Sequence, residues 1–260
     1  MSDVGFALLL TLFAGLATGL GGLIVMFSKL TNKRFLAICL AFSAGVMLYI
    51  SFAEILFKAF EALEYSFDSW VGYAVGTLAF FVGIGFIALI NRLAPHDDQM
   101  LIDDKKELKR TGTMSAAAIA VHNFPEGFLT FMAAMYDPAL GIAVAIAIAL
   151  HNIPEGIAMA SPIYYATGSK KNALAVATAS GLTEPLGGLL AWFLLRHLFD
   201  DMGLIFGISF AFVGGIMVFV ALHQLLPTAK KYGENHMVMR WLFIGMGVIA
   251  ASLVVLEIFL

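Results

Sequence analysis

Residues 113–165 read TMSAAAIAVHNFPEGFLTFMAAMYDPALGIAVAIAIALHNIPEGIAMASPIYY. Two apolar runs, 113–135 and 139–165, are joined by a short link from Tyr136 to Pro138. Each run is long enough to cross a hydrocarbon core of roughly 30 Å as a helix rising about 1.5 Å per residue. So short a link sets the two helices antiparallel and side by side. The motif His122-Asn123-Phe124-Pro125-Glu126-Gly127 in the first run returns 29 residues later, as His151-Asn152-Ile153-Pro154-Glu155-Gly156 in the second.

Polar residues at that depth need a reason. A charge near the bilayer centre costs about 2.5–3.5 kcal/mol on insertion scales. Within the spans of the whole chain lie Glu54, His122, Glu126, His151, Glu155, Glu184 and His223, while the basic residues fall at span ends or in loops. Four carboxylates would cost on the order of 10 kcal/mol with nothing to offset them. A bound metal ion is the simplest counter-charge.

The spacing agrees. His122 and Glu126 are four residues apart and share a helix face, with Asn123 close to the same arc. Pro125 and Pro154 cannot donate to the carbonyls of Val121 and Leu150, so each is expected to bend its helix just before the motif histidine. Irregular backbone at membrane depth is tolerated where it lines protein or a water-filled cavity. The two helices thus bring together two histidines, two glutamates and two asparagines, and Glu184, in Thr183-Glu184-Pro185, can complete the set. Imidazole and carboxylate suit zinc and similar ions; the amide carbonyls of Asn123 and Asn152 suit harder ions such as Mn(II) or Fe(II). Glu126, Glu155 and Glu184 give a charge of −3. One divalent ion leaves −1 and two leave +1, and an empty site takes up protons, so metal and protons compete. The alternative for any single residue is a helix–helix hydrogen bond; the repetition of a six-residue motif argues against that for the pair.

Outward from this stretch the rest of the chain is of the same kind. It has 260 residues, 61% of them hydrophobic and 13% charged, with a mean hydropathy of +0.92. A soluble domain carries about 25% charged residues. A water-soluble globule, a disordered chain and a disulfide-stapled module are excluded, and long apolar runs exclude a membrane barrel. A net charge of −3 gives no reason to expect nucleic acid, and the single Cys39 allows no internal disulfide. The fold class is an all-α integral membrane protein, one transmembrane domain over 1–260. Eight spans are expected, at 4–27, 35–57, 70–90, 113–135, 139–165, 173–195, 204–227 and 237–260. No cleavable signal peptide is expected.

Thirteen of the 15 basic residues fall on one side of these spans, with only Lys58 and Arg196 on the other. That side is expected to be cytoplasmic, which puts both termini outside. The outer side carries Asp3, Glu61, Glu64, Asp68, Asp137, Asp200 and Asp201. These form an acidic rim that concentrates cations, or acids that collect where Lys and Arg are excluded. The sizeable loop, 91–112, is read as a solvated cytoplasmic loop; its His96 is a poor chelator alone.

A second repeat is long-range. Residues 15–24 (GLATGLGGLI) match 181–190 (GLTEPLGGLL) at six of ten positions, and 41–57 (AFSAGVMLYISFAEILF) resemble 211–227 (AFVGGIMVFVALHQLLP). Span one pairs with span six and span two with span seven, in opposite senses across the membrane. The expectation is an inverted repeat, 3+2+3, as in transporters whose site lies near the midplane. Glu54 is a gate or second-site carboxylate, or reaches the outer interface by snorkelling. His223 with Gln224 stands opposite Ala53 and Glu54 in this alignment, a candidate for the pathway. Glu257 is read as interfacial. Met47, Met159 and Met217 are soft donors to watch. Gly72–Gly76 and Gly203–Gly207 suit helix packing or a dimer face.

At His122–Gly127 and His151–Gly156 the chain resembles the ZIP (Zrt/Irt-like) family of divalent-metal transporters, most closely its bacterial zinc-permease branch, over nearly its whole length. The resemblance implies import of zinc, and of iron, manganese, cobalt or cadmium, into the cytoplasm without ATP, across the cell's inner membrane. It also implies a two-metal centre between spans four and five, and a homodimer. By position, His122, Glu126, His151 and Glu155 would ligate the first metal. Asn123, Asn152 and Glu184 would hold the second, with Glu126 and Glu155 bridging. The uncharged Asn152 departs from acidic versions of the second motif and makes a permanently filled second site less secure.

The metal is cargo in this reading and no resident cofactor is expected, nor an enzyme. No Gly-x4-Gly-Lys-[Ser/Thr] loop offers an ATP site. An intramembrane zinc hydrolase would need an open zinc position and a base, as in His-Glu-x-x-His, which is missing. A metal-selective channel would differ in its flux kinetics.

Overall fold

The computed structural model describes residues 3–27, 33–93, 104–136, 138–197 and 202–259. In chain order these form α1 (Asp3–Met26), α2 (Lys33–Ile50), a π-helical stretch Ser51–Ile55, α3 (Leu56–Glu64), α4 (Ser69–Leu93) and α5 (Asp104–Tyr136). Then follow α6 (Pro138–Thr167), α7 (Lys170–Gly181), α8 (Thr183–His197), α9 (Met202–Phe219), a second π-helical stretch Val220–Leu225, α10 (Leu226–Tyr232) and α11 (Asn235–Phe259). No strand occurs among the described residues.

Local chemistry sets several boundaries. Gly168 has φ +70°, which only glycine adopts at no steric cost, and it turns the chain out of α6. Ser169 then caps α7, its hydroxyl accepting from the Asn172 amide at 3.2 Å. Leu182 separates α7 from α8, one residue before Thr183-Glu184-Pro185. Helix α5 begins at Asp104, so the last part of the stretch read as loop is helical. Helix formers at 105–110 and the buried Leu108, anchored in an apolar core, explain the extension. His96, Asp97, Asp98 and Asp103 lie outside the described residues.

Seven helices among the described residues are long and apolar enough to cross a membrane. Helix α5 is not one of them, because His122, Asn123 and Glu126 dilute its hydrophobicity. It is instead enclosed by α1, α6, α7, α8 and α9. A helix too polar for lipid becomes tolerable when other helices cover it.

The helices pack as two bundles. One holds α1 and α5–α8; the other holds α2–α4, α9–α11 and both π-helical stretches. They meet where α2 and α11 touch α6, and where α9 and the second π-helical stretch touch α5. A large apolar core fills the second bundle. The first has two smaller cores, around Ile119, Met159 and Ile163 and around Phe128, Phe131 and Ala134. His122, Asn123 and Glu126 lie between Ile119 and Phe128 in α5, so the polar motif divides these cores.

Close backbone approaches come in matched pairs. A Cβ added to Gly21 would strike the carbonyl of Ile153, and one on Gly187 that of Phe124. One on Gly156 would strike the carbonyl of Thr18, and one on Gly127 that of Glu184. Gly15 and Gly181 lie against each other's carbonyls. In the second bundle Gly45 meets Leu242 and Gly245 meets Phe42, while Gly215 meets Phe80 and Gly83 meets Phe212. Gly72, Gly76 and Gly207 pack on Phe60, Leu63 and Ala59 of α3, so these small residues serve packing within the chain.

Candidate metal centre

Helices α5 and α6 cross at their motifs. Nε2 of His122 lies 3.0 Å from Oε1 of Glu126, one turn along α5. The same nitrogen lies 3.3 Å from Oε1 of Glu155 on α6. His122, Asn123, Glu126, Asn152, Glu155 and Glu184 are all at most 3% exposed. The backbone of His151 is helical, one turn before Glu155; its side chain lies outside the described residues.

Both motif asparagines turn their N–H groups away from one another's helices. Nδ2 of Asn152 donates to the carbonyl of Ala14 at 2.9 Å and to Oε1 of Glu184 at 2.5 Å. Nδ2 of Asn123 donates to the carbonyl of Ser180 at 3.4 Å. Carbonyls accept only, so each amide must place its nitrogen there and its oxygen elsewhere. Thr183 Oγ1 lies within hydrogen-bonding distance of the Ser180 and Ala120 carbonyls, at 2.6 and 3.0 Å, and ties the start of α8 to α5.

What remains is a set of buried acceptors. Oδ1 of Asn123, Oδ1 of Asn152, Oε2 of Glu155 and Oε2 of Glu184 are buried with no hydrogen-bond partner among the described residues. Leaving such an oxygen unmade costs about 1–3 kcal/mol, more for a charged group. Several buried lone pairs without a donor are suited to a cation. Among the described residues no three His, Cys, Asp or Glu side chains already form a cage for one ion; hydrogen bonds and ion pairs hold the cluster together.

Glu54 and His223 lie elsewhere. Glu54 pairs with Lys58 on its own helix and is partly exposed. His223 is exposed, its ring stacked on Phe219 at 4.6 Å between centroids. Both occupy π-helical stretches. Met47, Met159 and Met217 are buried in apolar cores. The side chain of Glu257 lies outside the described residues.

Three contributors were not singled out in the sequence. The carbonyls of Ala14 and Ser180 orient the two asparagines, and a backbone acceptor leaves no trace in residue type. Thr18 is fully buried, and its Oγ1 has no hydrogen-bond partner among the described residues. A signal for it did exist: aligning 15–24 with 181–190 sets Thr18 opposite Glu184.

The chain as a whole is similar to known proteins. The family model described as ZIP Zinc transporter matches residues 93–254. The zinc transporter ZupT of Chlorobaculum parvum is 50% identical over 266 residues, covering 97% of this chain and 98% of that protein. Its namesake in Chlorobium chlorochromatii is 47% identical over 263 residues, covering 96% and 97%. Another, from Oceanobacillus iheyensis, is 47% identical over 269 residues, covering 98% and 100%. All three are named as transporters, not as enzymes. An all-helical, multi-pass membrane protein, this chain belongs to the ZIP zinc transporter family.

Proposed function

We propose that this protein carries zinc across a membrane through the cluster between α5 and α6, as a secondary transporter without ATP. The observation that carries the reading is the set of buried oxygens left without a hydrogen bond among the described residues after both asparagine amides donate to other groups. His122, Asn123, Glu126, His151, Asn152, Glu155 and Glu184 are the ligand set. Two ligands each about 2.0–2.1 Å from one zinc ion at the tetrahedral angle stand about 3.3 Å apart. The separations of 3.0 and 3.3 Å from His122 Nε2 to the two carboxylates are close to that value. The ion would lie between the imidazole nitrogen and the two carboxylate oxygens. Iron, manganese, cobalt and cadmium fit the same mixed nitrogen and oxygen donors.

The matched glycine contacts support the inverted 3+2+3 repeat. Gly21 with Ile153 and Gly187 with Phe124 are equivalent under the two alignments, as are Gly156 with Thr18 and Gly127 with Glu184. Repeats of opposite orientation around a midplane site suit alternating access. The skew of basic residues supports both termini outside, and the family resemblance supports the inner membrane of a bacterium and import as the direction of transport. A homodimer follows from family resemblance.

The test is uptake of radiolabelled zinc, iron and manganese into proteoliposomes by the wild type, His122→Ala and Glu155→Ala, with reconstituted amounts matched. Both variants should lose zinc uptake while remaining folded. Wild-type uptake in both would remove the site.

A further inference from the structure

The two halves of the cluster are not chemically equal, and the inequality lies at Thr18. The repeat alignments pair Asn123 with Asn152, Ala14 with Ser180 and Thr18 with Glu184. The contacts obey that pairing. Asn152 donates to the carbonyl of Ala14 and Asn123 to that of Ser180. A Cβ on Gly15 would come within 3.4 Å of the Glu184 Cβ, and one on Gly181 within 3.1 Å of the Thr18 Cβ. The side chains of Thr18 and Glu184 therefore leave equivalent places on α1 and α8.

Their ends differ. Glu184 reaches Asn152 and accepts its amide hydrogen. Thr18 is shorter by the length of a carboxymethyl extension, and its hydroxyl makes no hydrogen bond among the described residues although it is fully buried. Asn123, its partner by symmetry, likewise keeps Oδ1 without a hydrogen bond. Where one half of the cluster holds a carboxylate, the other holds two neutral oxygens, both buried and without a hydrogen-bond partner among the described residues.

We propose that the hydroxyl of Thr18 is a neutral subsite for a water molecule bound to the transported divalent cation. A metal-bound water is a strong donor with two protons. Oγ1 of Thr18 accepts one of them and its own proton remains free to turn elsewhere, while Oδ1 of Asn123 stays available to the cation. Thr18 thereby sets two properties of the site: its carboxylate count stays at three, and the cation keeps part of its hydration on the α1 side. This assignment rests on the reading of the cluster as a zinc site.

The experiment is zinc titration calorimetry on the full-length purified chain in two buffers of different ionisation enthalpy, with thermal melting of the metal-free protein alongside. Thr18→Val keeps the shape and removes the acceptor; it should bind zinc about tenfold more weakly, the worth of one hydrogen bond to a charged species. Its metal-free melting temperature should not fall, because the hydroxyl removed makes no hydrogen bond among the described residues. Thr18→Ser should bind as wild type. Thr18→Glu should bind more tightly and release one further proton per zinc. Wild-type affinity, within twofold, in Thr18→Val overturns the proposal. If Thr18→Val does not fold, Thr18→Glu decides, and wild-type affinity and proton release there overturn it. His122→Ala separates the two layers: undiminished zinc binding in that variant would remove the underlying site and this assignment with it, whereas weakened binding there together with wild-type affinity in Thr18→Val would overturn the assignment alone.

Discussion

The amide nitrogen of Asn152 lies 2.5 Å from Oε1 of Glu184 and donates to it, joining α6 to the first turn of α8. This hydrogen bond fixes which way both groups face. It leaves Oδ1 of Asn152 and Oε2 of Glu184 as acceptors without a hydrogen bond among the described residues. Asn152→Leu should remove that order. The metal-free protein should lose about 1–3 kcal/mol of stability, the cost of a buried acceptor left unmade, and thermal denaturation in detergent would read it. Asn152→Asp should also destabilise the metal-free protein, since two carboxylates then adjoin. Zinc should raise its melting temperature by more than it raises that of the wild type.

Zinc binding should weaken as pH falls. The ligands must be a neutral imidazole and ionised carboxylates, and protonation removes both. The sign is fixed: metal is favoured at higher pH, by about tenfold per pH unit for each proton displaced. Uptake into proteoliposomes at pH 5.5 and 7.5, with the free zinc concentration held constant, measures this. Equal uptake at the two values would exclude proton competition.

Gly127 ends the first motif because α8 passes against it. A methyl group there would meet the carbonyl of Glu184, which is backbone and cannot step aside. Gly127→Ala should cost at least about 1–3 kcal/mol as overpacking and displace Glu184. Gly187→Ala, which would meet the carbonyl of Phe124, should behave alike. Gly85→Ala is the control, because an added Cβ meets nothing within 4 Å. Melting temperatures of the three variants should separate the first two from the third.

Removal of metal should be visible in stability. A ligand that binds only the folded state at a hundred times its dissociation constant stabilises by about 2.7 kcal/mol. Zinc should therefore raise the melting temperature of the wild type, and a chelator should reverse the shift. His122→Ala should show neither change. A similar zinc-induced shift in that variant would place the binding elsewhere.

Much of this molecule was legible in residue order. Long apolar runs can satisfy their backbone only as helices in lipid, so the all-helical membrane fold follows from composition. A six-residue polar motif placed twice in adjacent spans marks the site, since nothing else in such spans justifies carboxylates. Other features were not legible, for physical reasons. The π-helical stretches at 51–55 and 220–225 depend on local hydrogen-bond register, which residue type does not announce. The helical start at Asp104 depends on Leu108 finding a distant core. The separation of Glu54 and His223 from the cluster depends on rotation about helix axes.

The sequence by itself determined that the chain lies in a membrane, and it marked His122, Asn123, Glu126 and their repeats on α5 and α6 as the candidates for its chemistry. Only the tertiary structure decided how those side chains are aimed. The carbonyls of Ala14 and Ser180 belong to helices far away in the chain, and they accept the asparagine amides. Tertiary packing also put Thr18 where symmetry would expect a second carboxylate. Orientation is set by partners brought together in space, and a linear pattern holds no record of a backbone oxygen's address.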